Sequence, residues 1–179
     1  MRWTCAVLLA LGVASAASGQ VVWVGVSWGA SWEWQSASAP GTNFLHSSDG
    51  APSAFVAFPI SDDTLFRLKA ADLPHIEVIN GEGWPGRYHA YTAGIDYLMG
   101  GTFGQTVLSA GIGSYRLDLQ AKNPPAGYND SKLGGYAGVG EWFPLTRRTR
   151  LTAEIAVNST QHADKPIIFT ANVGLAFGW

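Results

Sequence analysis

From Val21 to Trp34 the chain alternates almost without fault. Val22, Val24, Val26, Trp28, Ala30, Trp32 and Trp34 share one parity, and Gly25, Ser27, Gly29, Ser31 and Glu33 share the other, with Trp23 the large apolar exception. A β-strand sends successive side chains to opposite faces, so this stretch presents one apolar face and one small or polar face. It is also much longer than the usual strand of about 5 or 6 residues. The last residues repeat the pattern, with Ile167, Phe169, Ala171, Val173, Leu175, Phe177 and Trp179 set against Ile168, Thr170, Asn172, Gly174, Ala176 and Gly178. Six further segments, 51–60, 63–73, 87–98, 104–119, 132–143 and 149–160, lie between clusters of Gly, Pro, Asn, Asp and Ser.

Eight period-two segments predict an all-β chain. Only 13% of the residues are charged, while 22 glycines punctuate the apolar content, which argues against both a disordered chain and a leucine-rich helical bundle. The formal charge of −2, with eleven Lys and Arg that do not cluster, gives no electrostatic footprint for nucleic acid. Two segments are irregular. Pro59 ends the second, as a strand terminator can. In the fifth, Leu108, Ala110 and Ile112 share a parity but Tyr115, Leu117 and Leu119 take the other, so a bulge near Gly113 or Ser114 is expected if one face is to stay outward.

The connections alternate long and short. The short ones, Ser61–Asp62, 99–103 and 144–148, fall after segments two, four and six, whereas 35–50, 74–86, 120–131 and 161–166 read as loops at the opposite end. An up-and-down barrel produces this arrangement, and long external loops with short periplasmic turns are the rule for barrels of the outer membrane. Such closure suits a bilayer because hydrocarbon cannot hydrogen-bond an open strand edge. The small polar parity fits a cramped lumen. Trp28, Trp32 and Trp34 toward one end, with Phe177 and Trp179 toward the other, fit two interfacial girdles.

The first residues read as an address. Arg2, the apolar run from Ala6 to Val13 and the small residues from Ala14 to Gly19 have the layout of a cleaved signal peptide, which is too short for a membrane span. Ala14 and Ala16 offer one cleavage site; Ala17 and Gly19 offer a second, preferred here, which divides the chain into a leader over 1–19 and a barrel domain over 20–179. Cys5 lies inside the leader, so the mature chain has no cysteine and no disulfide.

Over its whole mature length the chain resembles the small eight-stranded outer-membrane β-barrel proteins of Gram-negative envelopes, of the OmpA and OmpW types. The expected fold is therefore an eight-stranded antiparallel up-and-down transmembrane β-barrel. The resemblance implies that Val173, Leu175, Phe177 and Trp179 form the C-terminal signal read by the barrel assembly machinery, with Trp179 in place of the more usual Phe. It also implies outer-membrane lipid as a partner and a monomeric barrel. No peptidoglycan-binding domain follows, so that role of OmpA does not carry over.

Fold does not settle function. The leading expectation is a structural role, binding through the external loops, or passage of small molecules, with no catalysis and no cofactor. One alternative is a lipid-modifying enzyme using loop-end His, Ser and Asp, with His46, Ser47, Ser48, Asp49 and His162 as the groups to inspect. Another is a soluble periplasmic lipid-binding barrel with its apolar faces inside. Gly25 to Gly29 match G-x-S-x-G, but a nucleophile elbow needs a strand-to-helix turn that is not expected here. His46, His75 and His162 are expected in solvated loops and His89 just inside the fourth segment. For the lumen, Glu33, Arg67, Lys69, Asp96 and Glu154 are expected to form a charge network, since inward charges must pair or meet water. Arg116 and Glu141 are less clearly placed. An eight-stranded interior is just wide enough for side chains, which favours a plug over a gated path.

Overall fold

The computed structural model describes residues 21–34, 45–79, 82–101, 103–120, 130–162 and 165–179. The expected leader lies outside these residues. The described residues form nine strands: β1 (Trp23–Trp34), β2 (Leu45–Gly50), β3 (Ser53–Pro59), β4 (Thr64–Ile79), β5 (Glu82–Gly100), β6 (Gln105–Leu119), β7 (Ser131–Pro144), β8 (Thr149–Thr160) and β9 (Ile167–Gly178). β2 and β3 both pair with β1, β2 with Ala30–Glu33 and β3 with Trp23–Ser27, so together they make one wall position broken at Ala51 and Pro52. Every neighbouring pair is antiparallel, and β9 returns to β1 from Trp23↔Gly178 to Trp34↔Ile167. The result is a closed eight-stranded up-and-down barrel.

The alternation decides which side chains meet the outside. Val26, Trp28, Ile95, Leu108, Ile112, Val139, Ile155, Val173 and Phe177 are exposed on the outer wall. Their partners in parity, among them Ser31, Thr92, Asp96, Ser109, Thr152, Asn158 and Asn172, are buried inside. A soluble barrel would reverse this, so the apolar belt excludes that alternative and gives the wall a surface that only hydrocarbon satisfies.

Three expectations need correction, the first being that 35–50 is all loop, since its end forms β2 against β1. No bulge occurs near Gly113 or Ser114: the β5–β6 ladder runs unbroken from Gly86↔Leu119 to Gly100↔Gln105, and β6–β7 from Gln105↔Trp142 to Arg116↔Ser131. The side-chain parity stays fixed and the polarity of the two faces changes instead. Above Ser114, Arg116 and Asp118 face out, while Tyr115, Leu117 and Leu119 are buried inside. The register shift lies elsewhere, in β1 opposite β2 between Ala30 and Ser31.

The segment 74–86 is not a loop. β4 runs to Ile79 and β5 starts at Glu82, paired throughout from Thr64↔Tyr97 to Ile79↔Glu82. Pro74 and Pro85 lie inside these strands. β3 pairs with β4 only as far as Ala71, and β6 pairs with β5 only as far as Gly86, so each proline stands where the other edge of its strand has no ladder. A residue without an N–H is tolerated there.

Candidate functional site: the lumen and its rim

Three layers of side chains fill the barrel. At the turn end Trp23, Phe55, Ala57, Leu65, Val107, Trp142 and Ala176 form an apolar plug. Trp142 meets Trp23 edge-on at 5.5 Å between centroids and stacks with Phe55 at 5.9 Å. This explains Trp23, the exception in the β1 alternation: it points inward because the plug needs it. The plug also explains Gly25, where a Cβ would come within 2.2 Å of the Phe55 ring.

The middle layer is ionic. Arg67 sits 2.6 Å from Asp96 through Nε and 2.5 Å from Glu154 through Nη1, and Lys69 donates to the other oxygen of Glu154. Two cations and two carboxylates balance. The Arg67 guanidinium also lies 4.7 Å from the centre of the Phe55 ring, and the Lys69 ammonium 5.5 Å from that of Tyr136. Tyr136 has room because Gly111 faces it, where a Cβ would come within 2.5 Å of its ring. Beside this cluster, lined by Ser27, Arg67, Lys69 and Glu154 among others, is a cavity of about 10 Å³, space for about one water.

Of the five charges expected to form one lumen network, four meet here and Glu33 does not. Glu33 does point inward, but Gly29 is the β1 residue level with Glu154, through Asn172. Four residues of strand, about 13 Å, carry Glu33 up toward the loop end. Arg116 is exposed on the outer wall, and Glu141 also lies on the outward parity, where its carboxylate accepts from Thr106.

The third layer closes the rim. Leu73, Tyr88, Ala90, Tyr115, Leu117, Leu119 and Ile168 form a second apolar cluster, with Ala51 and a half-buried Trp84 against it. Set into it is a polar chain that the sequence did not reveal. His75 contacts Glu33 through Nδ1 and Glu77 through Nε2, both at 2.7 Å, and all three side chains are buried. Carboxylates only accept, so both ring nitrogens donate and His75 is an imidazolium. The Tyr88 ring lies 4.6 Å from His75 and 5.0 Å from His162. His162 Nε2 is 3.2 Å from the Tyr115 carbonyl oxygen, and burial holds its basicity below the ordinary value. Two histidines expected in solvated loops are therefore packed in the rim. What draws His75 in is the extension of β4 and the inward parity it shares with Leu73 and Glu77, whereas His162, just past β8, keeps the buried side of Thr160.

His89 faces outward on β5, 3.7 Å from Asp72 and 3.8 Å from Asp118. The side chains of His46 to Asp49 lie outside the described residues. Among the described residues no group of three His, Cys, Asp or Glu side chains is arranged to hold a metal ion, and both ring nitrogens of His75 are taken up by Glu33 and Glu77. The hydrogen bond seen for His162 is to a backbone carbonyl, and Ser27 pairs with Ser53 at 2.7 Å within the wall, as befits a strand residue in the G-x-S-x-G stretch. Val173, Leu175, Phe177 and Trp179 all stand exposed on the outer face of β9 and just past its end.

The closed ladder, the outward apolar belt and the filled lumen can now be set beside known proteins. No family model and no curated protein matches the sequence. Solved structures do match: Neisserial surface protein A superposes with a TM-score of 0.69 at 11% identity, over 87% of this chain and 96% of that one. The fold is that of the small outer-membrane barrels. The attachment invasion locus protein of Yersinia pestis, solved with the heparin analogue sucrose octasulfate, gives a TM-score of 0.61 at 12% identity, over 89% of this chain and 99% of that one. OprG of Pseudomonas aeruginosa gives 0.58 at 11%, over 89% and 97%. At such identities the likeness covers architecture, and residue roles rest on the geometry above.

Proposed function

We propose that the protein spans the outer membrane as a closed, non-conducting monomeric barrel and acts at its loop-end rim by binding, without catalysis. The observation that carries this reading is the occupied lumen. An apolar plug, a balanced ionic layer and a second apolar layer succeed one another along the axis, and the space left beside the ionic layer suits about one water. Permeation through the barrel would need all three layers to part. What extends instead is the β4–β5 hairpin, which rises past the last paired residues of β3 and β6 on a base stiffened by Glu33, His75 and Glu77. A rigid projecting hairpin is a binding surface held on a scaffold.

The outward charges near the rim are interleaved: Asp72 with Arg87 and His89, Asp130 with Lys132. This mixture does not suggest the polysulfated ligand carried by the Yersinia structure. The bilayer around the belt is the lipid partner in this reading. In this reading the outward row of Val173, Leu175, Phe177 and Trp179 is the signal offered to the assembly machinery.

The test has two parts. Purified protein should require detergent and migrate differently when unboiled on a denaturing gel, as a closed barrel does. Inserted into planar bilayers, it should then give no conductance above the bare membrane. Discrete channel steps from folded protein would overturn the closed-lumen reading.

A further inference from the structure

The three short turns are not alike. The β3–β4 turn carries Asp62 and Asp63, the β5–β6 turn presents Phe103, and the β7–β8 turn reads Leu145-Thr146-Arg147-Arg148, all of them exposed. The acidic and basic turns stand four wall positions apart in a wall of eight, on opposite sides of the barrel mouth. In the acidic turn Asp63 accepts from Ser61 and Thr64 at 2.7 and 2.9 Å. The basic turn has no such counterpart. Among the described residues no carboxylate, that of Trp179 included, comes within ion-pairing distance of Arg147 or Arg148. Arg150, its guanidinium 5.4 Å from the centre of the Trp23 ring, adds a third positive charge at the same corner. The backbone under the two arginines is fixed: Leu145 and Thr146 donate to the Thr149 carbonyl, the Arg148 N–H to the Thr146 hydroxyl, and Gly178 of β9 to the Arg148 carbonyl.

Directly above this turn the outer wall is apolar. Phe143, Leu151 and Leu175 stand in one ladder row, and beyond them Ala153 and Ala171 leave a hollow of about 440 Å³ edged by Ile155 and Val173. Trp179, 53% exposed, marks the level where hydrocarbon meets headgroup. Glu141 borders the hollow from three residues of strand, about 10 Å, before Pro144, and its carboxylate is turned to β6, where Thr106 donates to it.

We propose that the β7–β8 turn is a selective site for one anionic glycerophospholipid of the periplasmic leaflet, its phosphate held between Arg147 and Arg148 and its upper acyl carbons laid along Phe143, Leu151 and Leu175. The short turns place this end at the periplasmic side, where the leaflet is built of glycerophospholipid. Two exposed guanidiniums without a carboxylate are matched by a phosphate, which arginine binds through paired donors. A zwitterionic headgroup would bring its ammonium against the same positive corner, so the site favours a headgroup of net negative charge. Each basic residue near an anionic lipid surface gives about a fivefold gain in binding, so the pair gives about 25-fold. A soluble phosphate would leave the apolar row above the turn without a partner, and for that reason the occupant is a lipid.

The proposal rests on the membrane placement above, and the experiment separates the two. The mature chain is refolded into detergent micelles holding equal amounts of phosphatidylglycerol and phosphatidylcholine, checked for the heat-dependent gel shift, and then released for native mass spectrometry. A chain that stays soluble without detergent and shows no shift defeats the membrane reading itself. The folded barrel should retain one phosphatidylglycerol, preferred over phosphatidylcholine by about 25-fold. Arg147→Gln with Arg148→Gln should still show the gel shift and bring that preference close to one. Arg116→Gln with Lys132→Gln, which removes two positive charges at the loop end, should leave it unchanged. A folded wild type that carries no lipid or takes both lipids equally, a preference that survives in the turn variant, or one lost as fully in the loop-end variant would each overturn the proposal.

Discussion

The barrel obeys opposite rules at two heights. In the belt, β6 turns Leu108, Ala110 and Ile112 outward and Ser109 and Gly111 inward; a few residues on, the same strand turns Arg116 and Asp118 outward and Tyr115 and Leu117 inward. The backbone does not change, because both ladders of β6 run through without a shift. What changes is the solvent. Against hydrocarbon an outward charge is costly and inward polar groups must satisfy one another; against water the ordinary rule of apolar inside and polar outside returns. The two interiors differ accordingly. The belt interior is centred on the ion cluster of Arg67, Lys69, Asp96 and Glu154, while the rim interior is an apolar cluster stitched by one imidazolium.

The sharpest way to break this comparison is at the ion cluster. Arg67→Ala would leave Asp96 and Glu154 buried with only Lys69 to share, and stranding a buried charge costs about 3 to 5 kcal/mol. Urea unfolding in lipid vesicles, followed by tryptophan fluorescence, should show the midpoint fall by a corresponding amount. An unchanged midpoint would mean that water enters the lumen freely and that the belt interior is not sealed.

The boundary itself is tested by two residues on one face of one strand. Ile112→Arg places a charge in the belt and should cost about 2 to 4 kcal/mol if that position meets the bilayer interior. Arg116→Ile, four residues further up, should change stability by no more than about 0.5 kcal/mol, as surface substitutions do. Equal costs for the two would show that the change of solvent does not fall between them.

How much of this was legible in the sequence follows from the same division. The belt was legible because hydrocarbon on one side and packed polar groups on the other impose a strict period of two, as in β1 and β9. The rim was not, for three physical reasons. The polarity reversal at Tyr115 imitates a bulge when the outer face is assumed to stay apolar. Pro74 and Pro85 imitate a loop, although Asn80-Gly81 is the dipeptide favoured in two-residue hairpin turns and was the available signal for strands on either side. The partners of Glu33 and His75 are set by height in the barrel, and height depends on register, which a single strand's pattern does not contain. The grouping of Arg67, Lys69, Asp96 and Glu154 needed only inward parity and mid-strand position. Glu33 had the parity but not the height.

A further effect is expected at the rim stitch, and it depends on pH. The belt on β4 ends at Ala70, and Asp72 begins the projecting part, so His75 stands above the membrane. Burial alone would make its ring less basic, but hydrogen bonds to Glu33 and Glu77, with their charges, raise it to about 9 from an ordinary 6.5. A group more basic in the folded state contributes its full stabilisation below the unfolded value and loses it as the pH rises through the folded one. Between pH 7 and 9 the loss is on the order of 2 kcal/mol. It acts on the β4–β5 hairpin, which has no ladder to β3 beyond Ala71 to replace the stitch. Trypsin cleavage at Arg87 in detergent-solubilised protein should therefore quicken from pH 7 to 9 beyond the change in the enzyme's own rate. His75→Gln should be cleaved faster already at pH 7 and gain nothing more from alkali. If wild type and His75→Gln respond to pH in parallel, the imidazolium does not hold the hairpin, and the rim derives its rigidity from the packing of Tyr88, Tyr115 and Leu117 alone.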